Sequence, residues 1–327
     1  MLKIFLAPTL VSLAALAGVF VWGGVDALLL ATALAVLEIS LSFDNAVINA
    51  KVLAKMSPLW QRRFLVWGMP VAVFGVRFAL PVLIVSAAAF ISPWGIAVLA
   101  FTDPAEYARL LHNADPIIHA FGGSFLLMVA LKYFLDEGKQ VHWFGALERR
   151  LARWGAVQSI ELFVACAAVV AVSAASDKPM LALAAGLVGV LLFIVIEGIT
   201  QSLSSNLRSG AAAGAAGLFV YLNILDAAFS LDGVVGAFAL TTQILVILVG
   251  LGIGAYFVRA FTVYLTRRNT IQRFIYLEHG AHWAIFFLAL CLFAALFVQV
   301  PEALPGGMGL LFALLAYLSS RHELKKR

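Results

Sequence analysis

Residues 37–49 read LEISLSFDNAVIN, and they lie within a long apolar part of the chain. Four polar side chains, Glu38, Asp44, Asn45 and Asn49, interrupt a segment that otherwise suits a lipid or protein interior. A charged side chain at the centre of a bilayer costs at least about 2.5 kcal/mol, so such acids must be paired, protonated or bound to a cation. This stretch therefore predicts a buried polar site on a membrane helix.

The composition of the whole chain indicates a polytopic membrane protein. Of its 327 residues, 63% are hydrophobic and only 12% are charged, and the mean hydropathy is +1.02. A soluble domain typically carries about 25% charged residues. Because so few charged side chains cannot cover a water-facing surface, most of the outer surface must face the lipid bilayer. We expect a single integral membrane domain over residues 1–327.

Apolar stretches of about 17–25 residues can cross the hydrocarbon core of a bilayer as helices. The sequence contains ten candidates, centred near residues 13, 38, 77, 126, 166, 190, 228, 252, 290 and 312. The first is ambiguous, because Lys3, the apolar run and the small residues near Ala17 also fit a cleaved signal peptide. The expected fold class is all-α, a polytopic transmembrane bundle of about ten helices.

The basic residues predict the orientation of these helices. With the N-terminus in the cytoplasm, 17 of the 22 lysines and arginines lie in alternate connections on one side. Short cytoplasmic loops are rich in Lys and Arg, so we expect a multi-pass protein of the cell membrane, an inner membrane where there are two, with both termini cytoplasmic. This dispersed charge does not indicate nucleic-acid binding. Arg77 and Arg259 fall inside predicted spans and need acidic partners.

The opening stretch has a second copy further along the chain. E38-ISLSF-D44-NAV aligns without a gap with D226-AAFSL-D232-GVV. Each copy has an acid, five residues and a second acid, with a serine two residues before the second acid. Arg77 follows 33 residues after Asp44, and Arg259 follows 27 residues after Asp232. The sequence therefore predicts two repeats, residues 26–135 and 180–298.

The two copies fall on the second and seventh predicted spans, which run in opposite directions if the segment near Cys166 crosses the membrane. If that segment does not cross, the repeats are parallel. Inverted repeats are typical of secondary transporters, which bind substrates and ions near the midplane where the repeats meet.

The chemistry of the motifs favours a cation site. The two motifs carry four acids, and Glu197 is a further candidate, whereas only two intramembrane arginines are available to neutralise them. Oxygen ligands from Asp, Glu, Asn and Ser suit Mn²⁺, Ca²⁺ or Mg²⁺ better than Cu⁺ or Zn²⁺. As a structural alternative, Asp44–Arg77 and Asp232–Arg259 are ion pairs that only hold the bundle together.

Helix geometry leaves one question open. Glu38, Ser42, Asn45 and Asn49 share one stripe of an unbroken helix, but Asp44 lies about 120° away from Glu38. Either each acid faces a different neighbour, or the helix unwinds between the two acids.

The two motifs, together with V73-FGVRFALP and L277-EHGAH, resemble the TerC family of integral membrane proteins over about residues 25–300. That family resembles the exporters of amino acids and divalent cations that are built from inverted three-helix repeats. Several of its members are implicated in manganese efflux and others in tellurite resistance. Gly233 stands where TerC proteins commonly have serine.

The resemblance implies metal ligands at five motif positions: Glu38, Asp44, Asn45, Asp226 and Asp232. The supporting residues would be Ser42, Asn49, Arg77, Glu197, Ser230 and Arg259. We predict a secondary transporter or exporter of a divalent cation, with Mn²⁺ favoured and protons as a possible counter-ion. The alternative is a non-transporting membrane scaffold linked to metal or tellurite stress. No nucleophile–base pair or H-E-x-x-H motif is present, so we expect neither an enzyme nor a prosthetic group.

Overall fold

The structure is a computed structural model, and it describes residues 2–54, 56–207, 217–220, 222–224, 226, 233–234, 237–238, 240–268, 270–301 and 303–326. Within those ranges, the side chains of residues 2, 3, 41, 43, 44, 76, 199–207, 271, 272, 303 and 326 lie outside the description.

The predicted all-α fold class is confirmed, because the described ranges consist of helices and their connections and contain no strand. In chain order the helices are α1 (Leu2–Leu41), α2 (Phe43–Leu53), α3 (Pro58–Val66), α4 (Gly68–Pro70), a π-helix (Val71–Ala79), α5 (Leu80–Ala89), α6 (Pro93–Thr102), α7 (Pro104–Asn113), α8 (Asp115–Phe134), α9 (Gly145–Trp154), α10 (Ile160–Ala175), α11 (Pro179–Leu207), α12 (Ile244–Arg267), α13 (Thr270–Arg273), α14 (Leu277–Ala294) and α15 (Ala303–Lys326). The described residues between 217 and 240 are helical as well.

Six of the described helical stretches have the length and hydropathy of membrane-spanning helices. They are Ile4–Ser40, Pro58–Ala89, Asp115–Phe134, Pro179–Gly198, Ile244–Arg267 and Leu277–Ala294. Large apolar side chains on them, such as Val21 and Phe74, are exposed. Such exposure is unfavourable in water and favourable in lipid, so the helices agree with the predicted bilayer environment.

The predicted count of about ten spans is not confirmed. α10 has only 16 residues, about 24 Å at 1.5 Å per residue, which is less than the roughly 30 Å of a hydrocarbon core. The orientation of the two repeats depends on this segment, so the inverted arrangement stays a prediction. The predicted span near residue 228 lies largely outside the described residues, and α15, at the last predicted span, is not among the six.

Two interruptions shape the first helical region. α1 consists of two helical segments, residues 2–23 and 25–41, that meet at Gly24, whose φ of 72° and ψ of −160° are open essentially only to glycine. A single non-helical residue, Ser42, separates α1 from α2. The chain therefore leaves regular helical geometry between Glu38 and Asp44, as one of the two predicted alternatives requires. The break is short, since the backbone N–H of Ser42 still donates to the Glu38 carbonyl at 3.0 Å.

The close packing of α1 on α12 positions the central acids. A Cβ atom on Gly250 would lie 2.7 Å from the Cβ of Leu34, and one on Gly254 would lie 2.4 Å from the Cβ of Glu38. Small residues four positions apart let two membrane helices approach closely at their backbones. The glycines therefore seat Glu38 directly against α12, the helix that also carries Arg259.

Candidate functional site

One face of α2 carries three buried polar residues, Ser42 at its start and Asn45 and Asn49 within it. The spacing of three and four residues places them on one stripe, as the sequence predicts. The Ser42 hydroxyl donates a 2.9 Å hydrogen bond to Oε1 of Glu38, and Nδ2 of Asn49 donates to Oδ1 of Asn45 at 2.7 Å. The predicted stripe is thus a hydrogen-bonded row that runs from Glu38 along α2.

Glu38 forms a buried ion pair with Arg77. Nη2 of Arg77 lies 2.5 Å from Oε1 of Glu38, and the two side chains are 1% and 3% exposed. Arg77 belongs to the π-helix, and its Nη1 donates to the carbonyl oxygen of Ala72 at 3.1 Å. Single π-helical segments are frequent at functional sites, because they re-aim side chains relative to a regular α-helix.

Asp226 forms the equivalent ion pair with Arg259. Nη2 of Arg259 donates to Oδ2 of Asp226 at 2.7 Å, and both side chains are almost fully buried. The guanidinium also stacks over the ring of Phe64 at 4.6 Å. Gly68 leaves room for it, since a Cβ atom there would lie 2.2 Å from Nη1 of Arg259. Arg259 is therefore enclosed by α3, α4 and the helical segment that carries Asp226.

Reciprocal contacts join the two motifs. Nδ2 of Asn45 donates to Oδ1 of Asp226 at 2.9 Å, while a Cβ atom on Gly233 would lie 3.3 Å from Oε2 of Glu38. Asn45 and Gly233 are equivalent in the sequence alignment, and so are Glu38 and Asp226. The residue after the second acid of each motif thus lies beside the first acid of the other motif.

In both motifs, the intramembrane arginine contacts the first acid, Glu38 or Asp226. The side chains of Asp44, Ser230 and Asp232 lie outside the described residues. The predicted ion pairs of Asp44 and Asp232 with the arginines therefore stay predictions. Within the described part of the chain, no three His, Cys, Asp or Glu side chains are grouped closely enough to hold a metal ion.

Glu197 lies in a different cluster. Nζ of Lys132 is 2.9 Å from Oε1 of Glu197 and 3.6 Å from Oε1 of Glu161. These side chains are partly exposed, which fits residues near the ends of apolar helices. Glu197 is thus joined to Lys132 near the end of the apolar stretch Pro179–Gly198.

A third buried acid, Glu148 on α9, was not predicted from the sequence. Its carboxylate lies 2.9 Å from Nδ1 of His279, Nε1 of Trp283 and Nζ of Lys139. Burial raises the pKa of the Glu148 carboxyl, but the bonds from His279, Trp283 and Lys139 outweigh burial and hold the pKa below its ordinary value. This cluster anchors α9 to α14. The signal in the sequence was weak, because Glu148 sits in a basic segment, E148-RRLAR, that suits a solvated helix.

The fold and the site define an all-helical protein with membrane-spanning helices and a buried network of two acid–arginine pairs. The chain belongs to the DUF475 family, described as a protein of unknown function, whose family model matches residues 43–327. The match begins at Phe43, so it includes Asp44 and Asn45 of the first motif and the whole second motif but not Glu38. No curated protein and no solved structure matches the chain significantly.

Proposed function

We propose that this chain is a secondary transporter or exporter of a divalent cation, with Mn²⁺ favoured and Ca²⁺ or Mg²⁺ as alternatives. The observation that carries the proposal is the reciprocal contact between the motifs, in which Asn45 binds Asp226 and Gly233 lies against Glu38. Carboxylate and amide oxygens from two distant segments thereby converge within the bundle. Ionisable residues inside membrane segments most often mark ion or substrate pathways.

Charge supports a divalent cation. The two motifs carry four acids, and the structure pairs two of them, Glu38 and Asp226, with arginines. By sequence, Asp44 and Asp232 then contribute two further negative charges, four acids minus two arginines. One divalent cation would balance this excess, and oxygen donors suit Mn²⁺, Ca²⁺ and Mg²⁺.

The arginines have a defined role in this proposal. Arg77 and Arg259 neutralise the first acid of each motif while the site is empty. Binding of a cation competes with the arginines for the carboxylates and biases the packing of one repeat against the other. Protons carried on the same carboxylates would serve as counter-ions.

The residue-by-residue correspondence of the contacts supports a two-fold relation between residues 26–135 and 180–298, as the proposed inverted repeat requires. When residue i of one unit contacts residue j of another, and the equivalents of j and i contact each other, the two units are related by a two-fold axis. Such an axis in the membrane plane is typical of transporters with a midplane site. The resemblance to the TerC family supports the same function. The apolar stretches and the distribution of basic residues in the sequence support a location in the cell membrane, with ten spans and cytoplasmic termini.

A non-transporting scaffold is the second candidate, and one observation favours it. Glu38 and Asp226 are each closed onto an arginine inside the bundle, as structural ion pairs would be. In that case the network only fixes how α1, α2 and α12 pack.

Transport by the purified protein separates the two candidates. Wild-type protein, Asp44→Asn and Asp232→Asn are reconstituted into liposomes that contain a fluorophore quenched by Mn²⁺, with a Mn²⁺ gradient and an opposing proton gradient. Arg109→Gln serves as the control, because Arg109 is exposed and pairs only with its neighbour Glu106 among the described contacts. We expect Mn²⁺ entry in the wild type and the control, and a rate lower by about tenfold or more in both aspartate variants.

Equal rates in all four proteins would contradict a site formed by the motif acids. Wild-type rates no higher than those of protein-free liposomes, with Ca²⁺ and Mg²⁺ tested in the same way, would contradict transport and favour the scaffold.

A further inference from the structure

The hydrogen-bonded row on α2 has a direction that chemistry fixes. The Asp226 carboxylate pairs with Arg259, and a carboxylate can only accept hydrogen bonds. The group that Asn45 turns toward Asp226 must therefore be its Nδ2, which leaves Oδ1 of Asn45 facing Asn49. Asn49 must in turn present its Nδ2 to that oxygen. The orientation of both amides follows from the Asp226–Arg259 pair, and neither can be flipped alone.

The row ends in an unsatisfied oxygen. Oδ1 of Asn49 is buried and has no hydrogen-bond partner among the described residues, and the whole residue is 2% exposed. Leaving a buried acceptor unpaired costs about 1–3 kcal/mol. A conformation in which a cation or its hydration water reaches this oxygen recovers that cost.

Asn49 lies on α2 between Asn45, which contacts Asp226, and the exposed residue Lys51. Asn49 lies one helical turn beyond Asn45 on α2, on the side away from Asp226. Two residues further, Lys51 forms an ion pair with Glu278 at the start of α14, and the Lys51 side chain is half exposed. The neighbouring helix contributes another oxygen, since the Thr266 hydroxyl on α12 donates to the Ala50 carbonyl at 3.2 Å. Beyond Asn49, α2 thus reaches an exposed end of the bundle at Lys51.

We propose that the side-chain oxygen of Asn49 is a binding position for the hydrated divalent cation, on an access path that runs along α2 between Asp226 and the Lys51–Glu278 pair. This inference rests on the proposed transport function and adds the route by which the ion reaches the acids. In the conformation described, Asn49 is buried and the route is closed. The ion enters when the packing of α2 against α12 opens.

Cysteine accessibility tests the path in the reconstituted full-length protein. Cys166 and Cys291 are replaced with alanine, and Mn²⁺ transport by this background is verified first. Asn49→Cys is then treated with a membrane-impermeant, positively charged thiosulfonate reagent, with and without Mn²⁺. Val47→Cys is the matched control, because Val47 is equally buried on α2 but packs in a hydrophobic cluster with Phe125 and Leu126.

We expect labelling of Asn49→Cys, no labelling of Val47→Cys, and labelling that Mn²⁺ slows by about tenfold. No labelling of Asn49→Cys in a background that transports Mn²⁺ would overturn the path and leave the transport function standing. Labelling that Mn²⁺ does not slow would overturn the passage of the cation along this path. If neither the wild type nor the cysteine-free background transports a divalent cation, the function on which the inference rests is refuted instead.

Two further variants test the proposal if the Asn49→Cys protein does not fold. Asn49→Asp keeps a side-chain oxygen at this position, and Asn49→Leu removes it at similar volume. With folding checked by size-exclusion chromatography, we expect Asn49→Asp to transport Mn²⁺ at close to the wild-type rate and Asn49→Leu to be slower by about tenfold, the equivalent of one lost oxygen contact. Equal rates for both variants would contradict a role for the Asn49 oxygen.

Discussion

Replacing Arg259 with leucine leaves the carboxylate of Asp226 buried without its cationic partner. The two side chains are 2% and 6% exposed, so water does not screen the pair. Removing one member of a buried ion pair destabilises a protein by about 3–5 kcal/mol, mainly because the remaining charge stays buried and uncompensated. Asp226 keeps its hydrogen bond from Asn45, so we expect a loss near the lower limit, about 3 kcal/mol.

The double variant Asp226→Asn/Arg259→Leu isolates the interaction between the two residues. It removes both charges together, so no uncompensated charge remains in the bundle. The single variants for comparison are Arg259→Leu and Asp226→Asn. We expect the double variant to lose about 1–2 kcal/mol less stability than the sum of the losses in these two single variants, as residues in direct contact show coupling of this size. For the single variant Arg259→Leu, the expected loss of about 3 kcal/mol corresponds to a more than hundredfold change in the unfolding equilibrium constant.

The assay is unfolding by sodium dodecyl sulfate in mixed micelles, followed by tryptophan fluorescence. Arg109→Gln is the control, and we expect no measurable change for it, because exposed ion pairs contribute little to stability. Strictly additive losses in the double variant would refute the reasoning, since they would show that Asp226 and Arg259 do not stabilise each other. A single variant Arg259→Leu as stable as the wild type would refute it as well.

Two other perturbations have defined outcomes. Gly254→Ala places a methyl group 2.4 Å from the Glu38 Cβ and forces α1 away from α12, so we expect a loss of about 1–3 kcal/mol in the same unfolding assay. Gly18→Ala, with open space around the new methyl group, should be neutral or slightly stabilising, and equal losses in both variants would contradict the packing argument. The Glu148 carboxyl has a pKa below its ordinary value in the folded protein, so its contribution to stability is present above about pH 4.3 and is lost as the pH falls further. Unfolding midpoints measured between pH 7 and pH 3.5 should therefore fall more steeply in the wild type than in Glu148→Gln, and parallel curves would show that Glu148 does not carry this dependence.

Several features of the site were predictable because they depend on local sequence. Hydropathy indicates helices of membrane-spanning length. In lipid, a run of apolar residues can form all its backbone hydrogen bonds only as a helix or in a closed barrel. Helical periodicity places Glu38, Ser42, Asn45 and Asn49 on one stripe, and the structure confirms the hydrogen-bonded row. The need to neutralise buried charge predicts that Arg77 and Arg259 find acidic partners, and both do.

Other features depend on how the helices cross, which a single sequence does not specify. Two acids six residues apart point in directions about 120° apart, so the identity of each arginine's partner depends on the neighbour that each face meets. The structure places Arg77 on Glu38, and the pairing of Arg77 with Asp44 stays a prediction, because the Asp44 side chain lies outside the described residues. Likewise, Glu148 and His279 are 131 residues apart in the chain, and only the packing of α9 against α14 brings them together.

The sequence by itself therefore determined that this is a helical protein for an apolar environment, with two acidic motifs and two arginines that must be neutralised. Burial of charge imposes that requirement wherever the helices go. Only the tertiary structure decided that Asn45 meets Asp226 and that Gly233 meets Glu38, contacts between segments about 180–195 residues apart. Close backbone packing of α1 on α12 at Gly250 and Gly254 is the physical reason that Glu38 lies inside the bundle, where the second motif can reach it.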